Sequence, residues 1–355
     1  MGMRLAVDIM GGDHAPDAIL KGCAQAITDL APDDRLVLIG DQAVITEWLT
    51  EQGIKDARLE IEHTTEVIGM DDPPVEAVRT RKNSSIVRMA ELGGPRAGAR
   101  RCDAVVSAGN TGACVAAATM AMRRLPGIHR PGIAVPIPTF HGSVVLCDAG
   151  GNPEPRPSHL HQYGLIGETV SRVINHKEHP RIALMNIGAE EGKGTDLIQG
   201  THELCKATPG INYIGYVEGR DIFSGVCDVI ITDGLVGNTL LKMAEGMASS
   251  LLKGIFHEVM SVDPDMVPRL EAVIKALFEK NDYHEHGGAP LLGVNGTCLI
   301  AHGSSEAKSI RAALKQARMY VQSGLNDAIV KRIAEIEKLM PAPEIKTVSG
   351  STTPA

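Results

Sequence analysis

The chemistry in this 355-residue chain is densest between Asp103 and Gly112. The apolar run Ala104-Val105-Val106 closes on Ser107-Ala108-Gly109-Asn110-Thr111-Gly112, and an alanine-rich run follows from Ala113 to Met122. That order predicts strand, tight turn, helix. Gly109 and Gly112 let backbone N–H groups approach a ligand closely. The helix start adds unpaired donors and the positive end of a dipole. Such a turn suits an anion, phosphate above all; the plainer alternative is a βα connection whose glycines serve geometry alone. Similar polar turns close other apolar runs: Asp8 to His14, Asp148 to Asn152, Asn186 to Gly194 with Lys193 inside it, Glu218 to Asp221, Asp233 to Asn238, Gly287 to Gly296, and His302 to Ser305. Together they read as one rim of backbone donors, amides, carboxylates and a lysine.

Several familiar sites are excluded by spacing. Lys193 sits in Gly-Lys-Gly, without the spacing or the following Ser/Thr of a nucleotide P-loop. No Gly-x-Gly-x-x-Gly follows the first strand, so the dinucleotide fingerprint is missing. No Gly-x-Ser-x-Gly elbow occurs. The pairs His159/His161 and His284/His286 lie in polar segments without a supporting acid framework, so no metal site is expected.

The elements that must position these turns follow from the alternation of short apolar runs with longer helical patterns. Strands are expected at 4–9, 35–39, 59–63, 103–107, 132–137, 143–148, 181–187, 211–217 and 227–232. This predicts a three-layer α/β protein, a mostly parallel sheet covered on both faces, with ligands beyond the carboxyl ends of the strands. One α/β domain over 3–333 accommodates the pattern. From 240 to 282 the periodicity is helical with a break near Ser261–Pro264, and Met266, Leu270, Val273, Ile274, Leu277 and Phe278 share one stripe. A helical hairpin is expected there, its apolar face available to the body, a second subunit or a membrane surface. The Pro-, Ser- and Thr-rich segment 341–355 reads as a disordered tail.

Composition narrows the function. With a formal charge of −8 and 3% aromatic residues, the chain lacks the basic, stacking character of a nucleic-acid binder. Seven scattered cysteines without a Cys-x-x-Cys pair suggest reduced, buried thiols, and no apolar run approaches the roughly 18 residues of a spanning helix. A cytosolic protein is expected.

The sequence resembles the bacterial phosphate acyltransferases of phospholipid synthesis (PlsX type). The likeness rests on Met-Gly-Gly-Asp-His-Ala-Pro at 10–16, Pro74 to Arg79 with Arg81 to Ser85 behind it, Ser-Ala-Gly-Asn-Thr-Gly at 107–112, and Asn-Ile-Gly at 186–188 with Glu-Gly-Lys-Gly at 191–194. It continues through Glu-Gly-Arg-Asp at 218–221, Asp-Gly-x-x-Gly-Asn at 233–238, Gly-Gly-Ala-Pro-Leu-Leu-Gly at 287–293 and His-Gly-Ser-Ser at 302–305. The resemblance implies a fold akin to phosphotransacetylases and isocitrate-type dehydrogenases. It implies transfer of a long-chain acyl group from acyl carrier protein to inorganic phosphate without a cofactor. It also implies a homodimer, peripheral membrane contact through the hairpin at 266–280, and a downstream membrane glycerol-3-phosphate acyltransferase as consumer of the acyl phosphate. Relatives commonly read Gly-Ala-Asn and then an acidic residue, Cys or Ala, Lys, Pro after the aspartate; here Gly151, Pro155 and Arg156 depart from that pattern, and Pro155 excludes a covalent cysteine route at its position.

Given that reaction, phosphate attacks the thioester itself, and the enzyme supplies position and charge. Lys193 is expected beside phosphate or oxyanion, against the alternative of a solvated lysine. Asn238 is expected to donate its amide, an assignment compatible with a capping role. Ser107, Gly109, Asn110, Thr111 and Gly112 form the expected phosphate cradle, with Asn152, Asn186, Gly188 and Asp233 lining the site. His14 and His302 are candidate acids for the thiol, with turn-stabilising histidines as the alternative. Asp8, Asp148 and Asp233 are expected to orient donors, because a carboxylate facing phosphate repels it. Arg79, Arg81, Lys82, Arg123 and Arg124 are the basic residues available to an acidic carrier protein. The rivals are an acyl-CoA phosphotransacetylase, a dehydrogenase on the same fold, and a non-catalytic membrane-docked scaffold.

Overall fold

The computed structural model describes residues 2–268, 270–273 and 287–340. Among the described residues eleven strands form one sheet: β1 Arg4–Asp8, β2 Arg35–Gly40, β3 Leu59–His63, β4 Ala104–Ser107, β5 Gly132–Thr139, β6 Gly142–Cys147, β7 Arg181–Met185, β8 Asn212–Val217, β9 Val229–Ile231, β10 Ala289–Leu292 and β11 Thr297–Ile300. The helices are α1 Asp17–Ala26, α2 Gln42–Glu51, α3 Pro74–Thr80, α4 Ser85–Gly93, α5 Thr111–Ala121, α6 Pro157–Val173, α7 Asp196–Ala207, α8 Gly234–Val262, α9 Ala307–Gln322 and α10 Leu325–Leu339. Nine strands fall where periodicity puts them. The other two, β10 and β11, correct the reading of Gly287–Gly296 as a single polar turn: it contains a four-residue strand, and β11 follows a glycine-rich turn.

Strand order is β3-β2-β1-β4-β11-β10-β5-β6-β9-β7-β8. Pairings are parallel on both flanks, but three antiparallel ones meet at the centre: β11–β10, β10–β5 and β5–β6. The sheet therefore reverses polarity at this seam. Carboxyl ends of β1, β4 and β11 lie on one edge, and those of β6, β9 and β7 on the opposite edge.

Side chains alternate between two cores, as a doubly covered sheet requires. Leu5, Val7 and Ile9 join the layer of α1, α6, α9 and α10, whereas Ala6 joins that of α4 and α5. Leu240 and Leu241 of α8 pack on this second layer, so α5 and α8 share a face on either side of the seam. Arg332 on α10 ties the first layer together through Glu168 on α6, both buried, at 2.9 and 3.1 Å.

At 29 residues, α8 extends about 44 Å. Only Gly234 and Gly237 in its first turn are buried; Met243, Met247, Leu251, Ile255 and Met260 are exposed. A short 3₁₀ turn at Pro264–Met266 and helical residues 267, 268 and 270–273 follow, giving the first arm and bend of the expected hairpin. Met266 and Val273 are exposed. Ile274, Leu277, Phe278 and the tail 341–355 lie outside the described residues. No helix among the described residues is long and apolar enough to cross a membrane.

Candidate active site

The first edge is built around Asp8. This buried carboxylate accepts the Ser107 hydroxyl at 2.7 Å and the Met10 N–H at 3.1 Å, and Ser107 Oγ in turn accepts the Gly109 N–H at 3.0 Å. Burial raises the Asp8 carboxyl above its usual range, and the hydrogen bond from Ser107 opposes that shift. Asn110 caps α5: its Oδ1 accepts the Ala113 N–H at 3.0 Å while Nδ2 donates to the carbonyls of Gly69, Met70 and Asp72. Its side chain is thus committed to local structure, which leaves the N–H groups of Thr111 and Gly112 as the first-turn donors. A Cβ on Gly112 would stand 2.7 Å from Pro74 Cγ, so α3 closes over this turn. His302 meets Ser304 Oγ at 2.8 Å through Nδ1. His14 lines a separate cavity with Asp17, Lys21, Trp48 and Glu306.

The second edge is built around Asp148. Its Oδ1 accepts the Ile133 and Gly151 N–H groups at 2.7 and 2.9 Å, and Oδ2 accepts the Asn152 N–H at 2.6 Å. Burial nevertheless pushes the carboxyl up to about 6. Helix α8 begins directly on this knot. A Cβ on Gly234 would lie 2.8 Å from Asp148 Oδ2, and one on Gly237 only 1.9 Å from the Asp148 carbonyl oxygen. Asp233 caps the helix by accepting the Val236 N–H at 2.9 Å. Asn238, which follows Gly237, stands over Gly150, whose Cβ would meet the Asn238 side chain at 3.6 Å. Asn152 is buried, and its Nδ2 donates to the Tyr163 hydroxyl at 3.3 Å.

Beyond β7, Asn186 organises the lysine loop: Oδ1 accepts the Ile187 N–H at 2.9 Å and Nδ2 donates to the Lys193 carbonyl at 3.2 Å. Lys193 Nζ pairs with Glu190 Oε1 at 2.7 Å, both exposed, and the ammonium holds Glu190 below the usual carboxylate range. A Cβ on Gly188 would meet Lys193 Nζ at 3.1 Å, so the lysine folds back over the strand end.

The expected rim is therefore two edges. Lys193, Asn238, Asn152, Asn186, Gly188 and Asp233 gather at the β6–β9–β7 edge. His14, Ser107, Gly109, Asn110, Thr111, Gly112 and His302 belong to the other. The reversal at the seam separates them, because the carboxyl end of a strand changes edges with its direction. A residue that sequence reasoning missed links the two: Lys242 on α8 places Nζ 3.5 Å from His302 Nε2. Its position four residues after Asn238, on the same helical face, was the available signal. The basic group also divides. Arg81 pairs with Asp72, Arg79 and Lys82 line a groove with Arg88, Arg96 and Arg100, and Arg123 and Arg124 follow the far end of α5.

All seven cysteines are buried, and burial pushes Cys23, Cys205, Cys227 and Cys298 up to about 12. These thiols stay protonated at neutral pH and offer no thiolate nucleophile. His161 is turned to Thr208 Oγ1 at 2.7 Å while His159 faces His129, so that histidine pair does not converge.

Against known proteins, residues 3–328 match the family model described as fatty acid synthesis protein. A phosphate acyltransferase of Clostridium perfringens strain SM101 is 40% identical over 338 residues, covering 95% of this chain and 97% of the relative. A phosphate acyltransferase of Desulforamulus reducens is 42% identical over 331 residues, covering 92% and 96%. Among solved structures, a phosphotransacetylase from Streptococcus pyogenes superposes with a TM-score of 0.59 at 16% identity, covering 95% and 94% of the two chains. The EutD phosphotransacetylase from Staphylococcus aureus gives 0.56 at 12% identity over 91% and 94%. These structural likenesses support the fold.

Proposed function

The chain belongs to the fatty acid synthesis protein family of phosphate acyltransferases, and from that premise we propose that it transfers a long-chain acyl group from acyl carrier protein to inorganic phosphate. A phosphate oxygen attacks the thioester carbonyl carbon, forming a C–O bond. The tetrahedral oxyanion collapses, the C–S bond breaks, and acyl phosphate and a thiolate are released. A thiolate with an intrinsic pKa of about 8.5 leaves without obligatory protonation.

Lys193 and Asn238 carry the chemistry in this reading. Lys193 exchanges Glu190 for the phosphate or oxyanion, and Asn238 donates its amide to the same charge. Asn186, Gly188, Asn152 and Asp233 hold those two in position. The N–H groups of Thr111 and Gly112, with Ser107 and Gly109 behind them, offer a second anion position at the β4 edge. His302 rather than His14 stands beside α8, with Lys242 Nζ 3.5 Å from its Nε2, and in that pair the ammonium is the group with a proton to give.

The observation that carries a long-chain substrate is the course of α8. The helix bearing Asn238 in its first turns continues as an exposed stripe of Met243, Met247, Leu251 and Ile255. An acetyl group needs no such surface, whereas a fatty chain, a second copy of the subunit and a membrane face all suit it. We infer a homodimer touching the membrane through the hairpin, which delivers acyl phosphate to a membrane glycerol-3-phosphate acyltransferase. The test mixes protein, palmitoyl carrier protein and phosphate, follows thiol release and traps acyl phosphate with hydroxylamine. Phosphate-dependent release with hydroxamate formed upholds the proposal. Turnover of acetyl-CoA alone would replace it with a short-chain phosphotransacetylase, and liposome binding without turnover would replace it with a scaffold.

A further inference from the structure

Five basic groups collect at the start of α6. Arg156 precedes the helix and His159 lies in its first turn; the loop from Gly127 to Pro131 brings His129 and Arg130, with Arg124 behind. The loop is clamped rather than free. Buried Gln162 accepts the His129 N–H and donates to the Gly127 carbonyl, each at 2.8 Å. The Tyr163 hydroxyl donates to the Pro131 carbonyl at 3.2 Å, and Arg124 Nη1 to the His129 carbonyl at 2.5 Å. The His129 and His159 rings consequently stand edge to face with centroids 6.2 Å apart. The Arg156 N–H donates to His159 Nδ1 at 3.1 Å, so the neutral ring keeps its proton on Nε2 as a donor.

Among the described residues, Arg124, Arg130 and Arg156 have no ion-pair partner. The repulsion registers at His159, where burial first, and then Arg130, His129 and Arg156, hold the ring below its ordinary range. The Glu337 carboxylate stands against this loop, its oxygens 3.4 and 3.7 Å from a Cβ on Gly127, without pairing with any of the three arginines; a rigid clamp that gathers like charges and leaves them unpaired is organised for an anion. The cluster also adjoins the Asp148 edge: Arg130 acts on Tyr163, whose hydroxyl receives the Asn152 amide.

We propose that this cluster binds a phosphate group, the phosphodiester of the acyl donor's thiol arm, at the rim of the α8 edge. The assignment rests on the acyl-carrier reading above. The phosphodiester is preferred to the attacking phosphate because the reaction proposed above already places that phosphate beside Lys193 and Asn238, whereas His129, Arg130 and Arg156 stand at the start of α6.

The test is equilibrium binding of 4′-phosphopantetheine, pantetheine and inorganic phosphate to the full chain by calorimetry, comparing the wild type with Arg130→Gln/Arg156→Gln and with the Lys/Lys double variant. Both side chains are exposed, so the fold persists, and circular dichroism verifies it. The expected result is at least a tenfold loss of phosphopantetheine affinity in the Gln variant, partial recovery with lysine, and no change for pantetheine. A loss confined to inorganic phosphate would keep the anion site but assign it to free phosphate, overturning the donor-arm assignment. Equal affinities in all three proteins would overturn the site. Turnover with palmitoyl carrier protein is measured separately, so failure of the acyl-transfer reading is seen apart from failure of this one.

Discussion

Replacing Asp148 by Asn sets burial against hydrogen bonding at one atom group. In the wild type three backbone N–H groups point at this carboxylate, two onto Oδ1 and one onto Oδ2. Those bonds favour the charged form, yet burial outweighs them and the carboxyl titrates at about 6. Set against an unfolded value of about 3.9, that raised value corresponds to about 3 kcal/mol. The sign follows from linkage. A group whose folded pKa is raised gives its stability below the unfolded pKa and loses it as pH climbs through the folded one. The wild type should therefore lose about 3 kcal/mol relative to Asp148→Asn between pH 4 and pH 6.5, because the amide does not titrate. The amide has its own cost. One oxygen cannot serve both positions, so at least one buried N–H loses its acceptor, an offset of about 1–3 kcal/mol present at every pH. Urea unfolding of both proteins at a series of pH values, plotted as the difference, cancels all other titrating groups. A flat difference would refute the reasoning, and a difference rising in favour of the wild type would show that the three N–H bonds outweigh burial.

Other outcomes follow from the same geometry. Lys193→Ala and Asn238→Ala should each lower turnover at saturating substrate at least ~100-fold with the fold intact, as loss of one preorganised donor does; Glu190→Gln, which frees the lysine, should lower the KM for phosphate instead. Gly237→Ala puts a Cβ 1.9 Å from a backbone carbonyl, so it should cost about 3 kcal/mol or more in urea unfolding and lower turnover by displacing Asn238. Arg332→Ala leaves Glu168 buried beside Arg172 alone and should cost about 3–5 kcal/mol in the same assay, whereas a Glu168→Gln/Arg332→Met double variant should recover much of it.

Much of this was legible in the sequence, because short-range rules decide it. The strands from Arg4–Asp8 to Val229–Ile231 are apolar runs ended by polar turns, and the helix expected after Ser107–Gly112 begins at Thr111; the capping role weighed for Asn238 falls instead to Asp233. Strands β10 and β11 escaped detection because glycines at 287, 288, 293 and 296 flank β10 and lead into β11, so the whole segment reads as a polar turn. Strand direction was hidden for a different reason: polarity at the seam depends on partners far apart in sequence, such as Leu291 with Ile133. Hence the motifs could be identified one by one, while their division between two edges could not. The same limit applies to Arg81, whose charge is spent on Asp72, and to Arg130, whose neighbours come from α6.

The order of strands also bears on how the polypeptide is made. The half of the sheet begun by β1 to β4 is closed by β11, near the carboxyl terminus, and by α9, which packs on α1 and anchors Arg311 to Asp29 at 2.7 Å. During synthesis the β4 edge therefore stays without its neighbour until Thr297–Ile300 has left the ribosome. The amino-terminal half cannot mature as an independent unit on the nascent chain. Until then its open edge is the segment most exposed to mispairing.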